Sequence, residues 1–164
     1  VTPIGAYTKA ISDRLAQAIT DGLVIHDSVL GDIPVGQILS GIPVLIEDAS
    51  ELLTSIQTQI DQVGMLILIG MPTGQDTGQS VAIANDKIIS AIAIGENPTI
   101  WRDDPLTKPV CLDVVYAVKA AIQGLIVPGF AQRLHVPRFD FFPHETRQLY
   151  EVTIESRLIT DAVS

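Results

Sequence analysis

Apolar residues near the start of the chain recur every three or four positions: Ile4, Tyr7, Ile11, Leu15, Ala18 and Gly22 share a stripe that excludes Lys9, Asp13, Gln17 and Thr20. That spacing predicts an amphipathic helix from about Gly5 to Asp21, stopped by Gly22. A second stripe, Leu52, Leu53, Ile56, Ile60 and Val63, predicts a helix from about Ala49 to Gln62. Asp48 with Glu51 has the form of a capping box at its start, and Gly64 ends it. A third stripe runs Cys111, Val114, Val115, Val118, Ala121, Ile122, Leu125. It predicts a helix capped by Thr107, with Pro109 in the first turn where a missing N–H is tolerated, and ended by Val127-Pro-Gly129.

Between and after these stripes the period changes. Pro43 to Glu47 reads as a short strand, and Met65-Leu-Ile-Leu-Ile-Gly-Met71 as a strand buried on both faces. Pro72 to Ser80 reads as a polar loop and Val81 to Ile94 as the returning strand, so 65–94 is expected to be a long hairpin with an exposed tip. Arg133 to Phe142 is a further strand, Pro143 to Thr146 a turn, and Gln148 to Ile159 the last strand. In that last strand Tyr150, Val152, Ile154 and Leu158 alternate with Glu151, Thr153, Glu155 and Arg157, which predicts one buried and one wet face.

Leu23 to Gly41 fits neither period. Gly31, Gly36, Gly41 and Pro34 interrupt it, yet Val24, Ile25, Val29, Leu30, Ile33, Val35, Ile38 and Leu39 are apolar. So greasy a loop is unusual in water, and the expectation is an extended arm or short strand covered by something, a neighbouring subunit being one candidate. Taken together, residues 1–164 are expected to form a single α+β domain, an antiparallel-rich sheet with helices packed mainly on one face.

Composition sharpens this picture. The 164 residues are 47% hydrophobic and 18% charged, which excludes disorder and suggests apolar surface of the kind oligomers bury. The longest apolar runs fall far short of the roughly 18 residues needed to span a bilayer, and the start carries no signal-peptide pattern, so neither membrane insertion nor secretion is expected. One cysteine, Cys111, excludes an intramolecular disulfide and fits a reducing compartment. The net charge of −9 is uneven: residues 1–86 carry two basic and ten acidic side chains, and residues 87–164 carry eight and nine. No lysine or arginine occurs between Leu15 and Asp86, a stretch that should repel phosphate rather than bind nucleic acid.

No enzyme-like constellation stands out. Thr73 to Gln79 lacks the Gly-Lys-Ser/Thr ending and the following helix of a phosphate loop, so it reads as a hairpin tip whose Gln75 and Asp76 are placed to touch a partner. Cys111 sits on an apolar helix stripe, where a free thiol packs as a small hydrophobe. Glu96, Asp103, Asp104, His135, His144 and Glu145 show no metal-ligand spacing. No catalytic residue, metal or cofactor is therefore assigned. Arg102, Arg138 and Arg147, with Arg133, are interspersed with Asp103, Asp104 and Asp140, a mixture that suits ion pairs between subunits. Trp101 beside Arg102 suits an interface anchor, and equally a plug at the end of the core. The candidate interface residues are thus Trp101, Arg102, Asp103, Asp104, Arg138, Arg147, Gln75 and Asp76.

Ile94-Gly-Glu-Asn-Pro98, the nearby Arg102, the Lys108-Pro109 helix entry and the terminal strand Tyr150-Glu-Val-Thr-Ile-Glu155 resemble phage tail-terminator (tail completion) proteins. The resemblance covers mainly 81–160, more loosely 43–72, and departs where family members often carry Asn-Arg in place of Trp101-Arg102. It implies a non-enzymatic virion protein at the tail–neck junction, made in the host cytoplasm. Such a protein closes as a hexameric ring on the tail tube, ends tube polymerisation and joins the tail to the neck. The partners implied are further copies of the chain, the tail tube protein, a neck or connector protein and the sheath protein, with DNA passing unbound. The alternatives are another head–tail connector or head-closure protein, or a small cytosolic enzyme using Cys111 or a carboxylate cluster.

Overall fold

The structure, a computed structural model, describes residues 3–46, 58, 60–76, 83–101, 109–130, 132–144 and 147–161. Its first element, α1 (Pro3–Ala18), buries the predicted stripe: Tyr7, Ile11, Leu15 and Ala18 are almost wholly out of water. Gly22, at φ +81°, then turns the chain in the left-handed region that glycine occupies without strain.

The apolar 23–41 segment takes the short-strand form of the two expected, rather than that of an extended arm. It folds as β1 (Val24–Asp27), β2 (Gly31–Pro34) and the short helix α2 (Val35–Leu39). β1 and β2 form an antiparallel two-stranded hairpin of their own. Ile25 and Ile33 pack against the core, and Val35, Ile38 and Leu39 are buried in it. Most of the greasy run is thus covered by this chain itself. The remainder is the hairpin tip, where Val29 and Leu30 are 88% and 77% exposed. The tip is built by Asp27, whose Oδ1 accepts the amides of Val29 at 2.8 Å and Leu30 at 2.6 Å, with Gly31 at φ +82° completing the turn.

The main sheet contains β3 (Val44–Ile46), β4 (Met65–Ile69), β5 (Thr73–Asp76), β6 (Ile83–Glu96), β7 (His135–His144) and β8 (Arg147–Asp161). Its order is β3-β4-β6-β8-β7, and β5 also pairs with β6. All pairings are antiparallel except β3 with β4. β4 and β5 lie end to end along one side of β6, because Ile69 pairs with Ile92 and Thr73 with Ile89. Residues 73–76, expected to be loop, are therefore strand. The predicted helix over Ala49 to Gln62 and its capping box lie outside the described residues, except Thr58 and 60–62, which are helical.

Two helices follow β6: the single turn α3 (Pro98–Trp101) and α4 (Cys111–Ile122). α4 begins later than the sequence suggests. Its N-cap is Val110, whose amide bonds to Asp113 Oδ2 at 2.9 Å; Pro109 precedes the helix, and Thr107 lies outside the described residues. Cys111, Val114, Val115, Val118, Ala121 and Ile122 of the predicted stripe are buried.

α1, α2 and α4 cover one face of the sheet, packing on Met65, Ile67, Ile69, Ile92, Ile94, Val152 and Ile154. The Tyr7 hydroxyl reaches Ser90 Oγ at 2.6 Å inside this layer, and burial pushes the phenol up to about 12, so it stays protonated as a hydrogen-bonding group. Leu66 and Leu68 alternate onto the opposite face, where Ile60 approaches Gly95. The expected α+β class, antiparallel-rich with helices mainly on one face, is the observed one.

The hairpin makes the first pH-dependent prediction. Hydrogen bonds from the Leu30 and Val29 amides hold the Asp27 carboxyl below the usual carboxylate value. A depressed pKa contributes order above the unfolded value and loses it as pH falls through the folded one. Amide signals of Val29 and Leu30 should therefore hold steady from neutral pH down to the ordinary carboxylate range and shift only below it. In Asp27→Ala the same signals, followed by NMR, should move toward solvent-exchanging positions already at neutral pH.

Candidate functional site

The segment Ile94 to Pro98 ends β6 at one edge of the sheet, and each of its residues there has a structural partner. Glu96 is fully buried, and its Oε2 accepts the Cys111 amide at 3.2 Å, so a carboxylate sits at the positive end of α4. Asn97 N-caps α3 through Oδ1, which accepts the Thr99 amide at 3.2 Å, and Pro98 occupies the first helical position. The Asn97 amide bonds back to Gly64 O at 2.8 Å and its side chain to Asp61 Oδ1 at 3.3 Å. Asn-Pro was the signal for this helical turn, which the sequence reading passed over.

Asp61 then receives Arg147 Nη2 on both carboxylate oxygens, at 2.9 and 2.7 Å. One charged side chain thus links the helical residues before Gly64, the end of β6 and the start of β8. Both partners retain contact with water, so the pair is worth about 1 kcal/mol or less. Arg147 is engaged within its own chain rather than held free for a neighbour.

Trp101 is buried, and its indole Nε1–H donates to Pro109 O at 2.8 Å. In the single chain it takes the second of its two expected roles, closing the core at the sheet end. Arg102, Asp103 and Asp104 lie outside the described residues. Gln75 and Asp76 are on β5 opposite Lys87 and Asp86. Arg138 stands apart on the edge strand β7, 70% exposed, with Nε 3.4 Å from Asp140 Oδ2. It borders a concavity of about 260 Å³ on the sheet face away from α1, α2 and α4, together with Met71, Thr73, Ile89, Glu151 and Thr153. The candidate residues therefore do not converge on one site: Trp101 and Arg147 share the sheet end, while Arg138 lies on the opposite edge.

Cys111 is fully buried, and its thiol donates to Ile94 O at 3.5 Å. A nucleophile must meet its substrate, and this sulfur lies under α4 in apolar surroundings. Among the described residues no three His, Cys, Asp or Glu side chains come together as a metal site. Among the described residues no helix is long and apolar enough to cross a membrane.

Exposed apolar side chains occur at several places among the described residues, Ile126 and Met71 included, and two of those places group more than one of them. One is the hairpin tip. The other is an aromatic strip along the junction of α4 and β7. Tyr116 meets Phe139 edge-on at 5.6 Å, Phe139 lies 6.3 Å from Tyr150, and Tyr150 lies 4.9 Å from Phe141. Tyr116 and Phe141 are 46% and 47% exposed. The sequence carried a trace of this strip: Tyr116 falls off the buried stripe of α4, and adjacent Phe141 and Phe142 cannot face the same side of a strand.

The sheet end also supplies a stability test. Gly64 has φ +93°, and a Cβ there would lie 2.8 Å from both Trp101 Cβ and Trp101 N. Gly64→Ala adds backbone strain to a steric clash and should cost about 2–4 kcal/mol. Chemical denaturation should show a lower midpoint with little change in slope.

No family model and no curated protein matches this chain. Among solved structures, a chain from the structure titled "Virion of native gene transfer agent (GTA) particle" superposes with a TM-score of 0.56 at 14% identity. The match covers 95% of this chain and 96% of that one, so the two share a fold over nearly their whole lengths.

Proposed function

We propose that this chain is a structural component of a virion, and more specifically that it closes as a ring on the end of a phage tail tube. There it stops tube polymerisation and offers a docking face to the neck. The observation carrying this reading is the near-complete fold match to a chain of a virion particle, which covers both proteins almost end to end. The resemblance of the Ile94–Pro98 segment and the Tyr150–Glu155 strand to tail terminators gives the reading its finer part.

The chemistry of the molecule is consistent with that role. Glu96, Asn97 and Arg147 are spent on internal bonds, and Cys111 is sealed in the core, so these residues serve shape rather than turnover. The long stretch from Leu15 to Asp86 without a basic side chain suits a conduit that DNA passes without adhering.

Two measurements test the proposal. Purified chain added to polymerising tail-tube protein should give tubes of limited length, with a ring at one end by electron microscopy. Unlimited tubes with no bound ring would remove the terminator role. If whole particles carry the chain away from the tube end, another connector position takes its place. Cys111→Ala should cost about 1–2 kcal/mol by emptying a packed site and leave capping of the tubes unchanged. Loss of capping in a folded Cys111→Ala protein would instead favour thiol chemistry.

A further inference from the structure

We propose that the concavity on the sheet face away from α1, α2 and α4 binds a primary alkylammonium group, the stem and head that a lysine side chain or a free alkyl diamine presents. The site goes beyond the ring reading above and does not rest on it.

Thr153 makes the floor. Val152 and Ile154 face the helix layer, so Thr153 between them turns to the opposite face, where it lines the concavity. It is only 8% exposed, and among the described residues its hydroxyl has no hydrogen-bond partner. A buried hydroxyl left so costs stability until something meets it. Its neighbour on β6 is Ala91, whose side chain ends at Cβ and leaves the space beside the floor open. The volume, about 260 Å³, is close to the lower end of small-molecule sites.

The polar groups around that floor are mostly acceptors. Glu151 lies two residues along β8, hence on the same face, and is exposed; among the described residues it has no ion pair. The Thr73 hydroxyl donates to Ile89 O at 3.3 Å, which leaves its own lone pairs to accept. An ammonium head has three protons to donate and nothing to accept with, and Glu151, Thr73 and Thr153 are three acceptors for it. Met71, Ile89 and Ala91 supply the apolar lining that a methylene stem needs.

The charge balance selects a cation. Asp140 stands directly across from Glu151 on β7, and like charges so placed repel. Arg138, across from Thr153, holds its Nε 3.4 Å from Asp140 Oδ2 and so offsets that carboxylate. Lys87 and Glu155, further along the same face, pair at 3.0 Å and offset each other. Arg157 is six residues from Glu151, roughly 20 Å along the strand. Among the described residues Glu151 is therefore the charge at the concavity left uncompensated. A carboxylate ligand would find Arg138 and Thr153 but would add a third negative charge beside Asp140 and Glu151.

Nα-acetyl-lysine methylamide and diaminopentane test the site, titrated into the full chain at neutral pH and followed by amide NMR. Both should shift the signals of Ile89, Ala91, Glu151 and Thr153 saturably, with the millimolar dissociation constants expected of ligands so small. Pentanoate, a similar stem with the opposite charge, should leave those signals in place. Tighter binding of the lysine derivative marks a lysine of another chain as the source, and tighter binding of the diamine marks a free amine. Glu151→Gln should weaken either probe about tenfold, the loss of one charge-assisted hydrogen bond. Arg138→Gln, which frees Asp140, should tighten it. Thr153→Val should weaken binding yet keep or raise the melting temperature, because it removes a hydroxyl that has no partner. Saturable binding of pentanoate, unchanged affinity in a folded Glu151→Gln chain, weaker amine binding in Arg138→Gln, or no shift from either amine at tens of millimolar would each overturn the site. The ring reading is judged separately, by the capping of tubes.

Discussion

The whole structure hangs on one pairing, the unbroken antiparallel ladder between β6 and β8 from Ile83↔Asp161 to Glu96↔Gln148. β4 and β5 attach to the outer side of β6, β7 attaches to the outer side of β8, and α4 lies across both central strands. Because side chains alternate, a one-residue slip of β8 on β6 would turn Val152 and Ile154 out of the core while Ile92 and Ile94 stayed in it. Hydrophobic alternation alone resists that slip, and two buried hydroxyls add to the specification. Ser90 bonds the Tyr7 hydroxyl of α1, and Ser156 donates to Gln132 O before β7 at 2.9 Å. Each pins a different neighbour to the ladder, and the same slip would part Ser156 from Gln132 O, at about 1–3 kcal/mol.

The ladder's end explains why Gly-Glu-Asn-Pro forms a compact unit. Where β6 stops, α4 must start nearby with its first amides unsatisfied, and the buried Glu96 carboxylate meets one of them. Asn97 starts the α3 turn, which delivers Trp101 against Gly64. Each residue type follows from its geometry: a glycine where Ile60 leaves no room for a Cβ, an acceptor side chain at a helix start, an amide side chain that both caps and donates. A short segment of this kind marks the architecture, and any function associated with it depends on the surfaces the architecture holds in place.

Much of this was legible in the sequence. The stripes of α1 and α4 and the alternation of β8 stand out because each element buries one face continuously, so periodicity reports burial directly. The 23–41 segment was legible only as far as a short covered strand, for a physical reason: a hairpin and a one-turn helix packed by this chain's own core show neither period over enough residues to separate them from an arm. The start of α4 was misplaced because its caps come from Asp113 and the distant Glu96, while Thr107 offered a nearer and more familiar signal. The arginines were expected to pair between subunits, but Arg147 and Arg138 meet acids of their own chain, Arg133 donates to Gly124 O, and Arg102 lies outside the described residues. Arg147 is bound to Asp61, 86 positions away, a contact no local pattern encodes.

The division between what the ladder fixes and what it leaves outside bears on assembly. β7 is an edge strand, and such edges invite pairing with other chains. Here Pro137 sits in a bulge between His135 and Arg138, and Pro143 lies near the far end, so β7 lacks two amides another strand would need. Extension of the sheet from copy to copy is thereby discouraged, and contacts between copies are left to side chains. The exposed apolar side chains that are grouped, on a two-residue turn and along a row of rings, stand on elements anchored to α1, α4 and the ladder. Two-stranded hairpins are marginal alone, so the Asp27 carboxylate and the burial of Ile25 and Ile33 are what turn this one into a fixed projection. A projection fixed in this way has little freedom left to lose on contact, whereas one ordered only on contact would draw that cost from the contact energy itself.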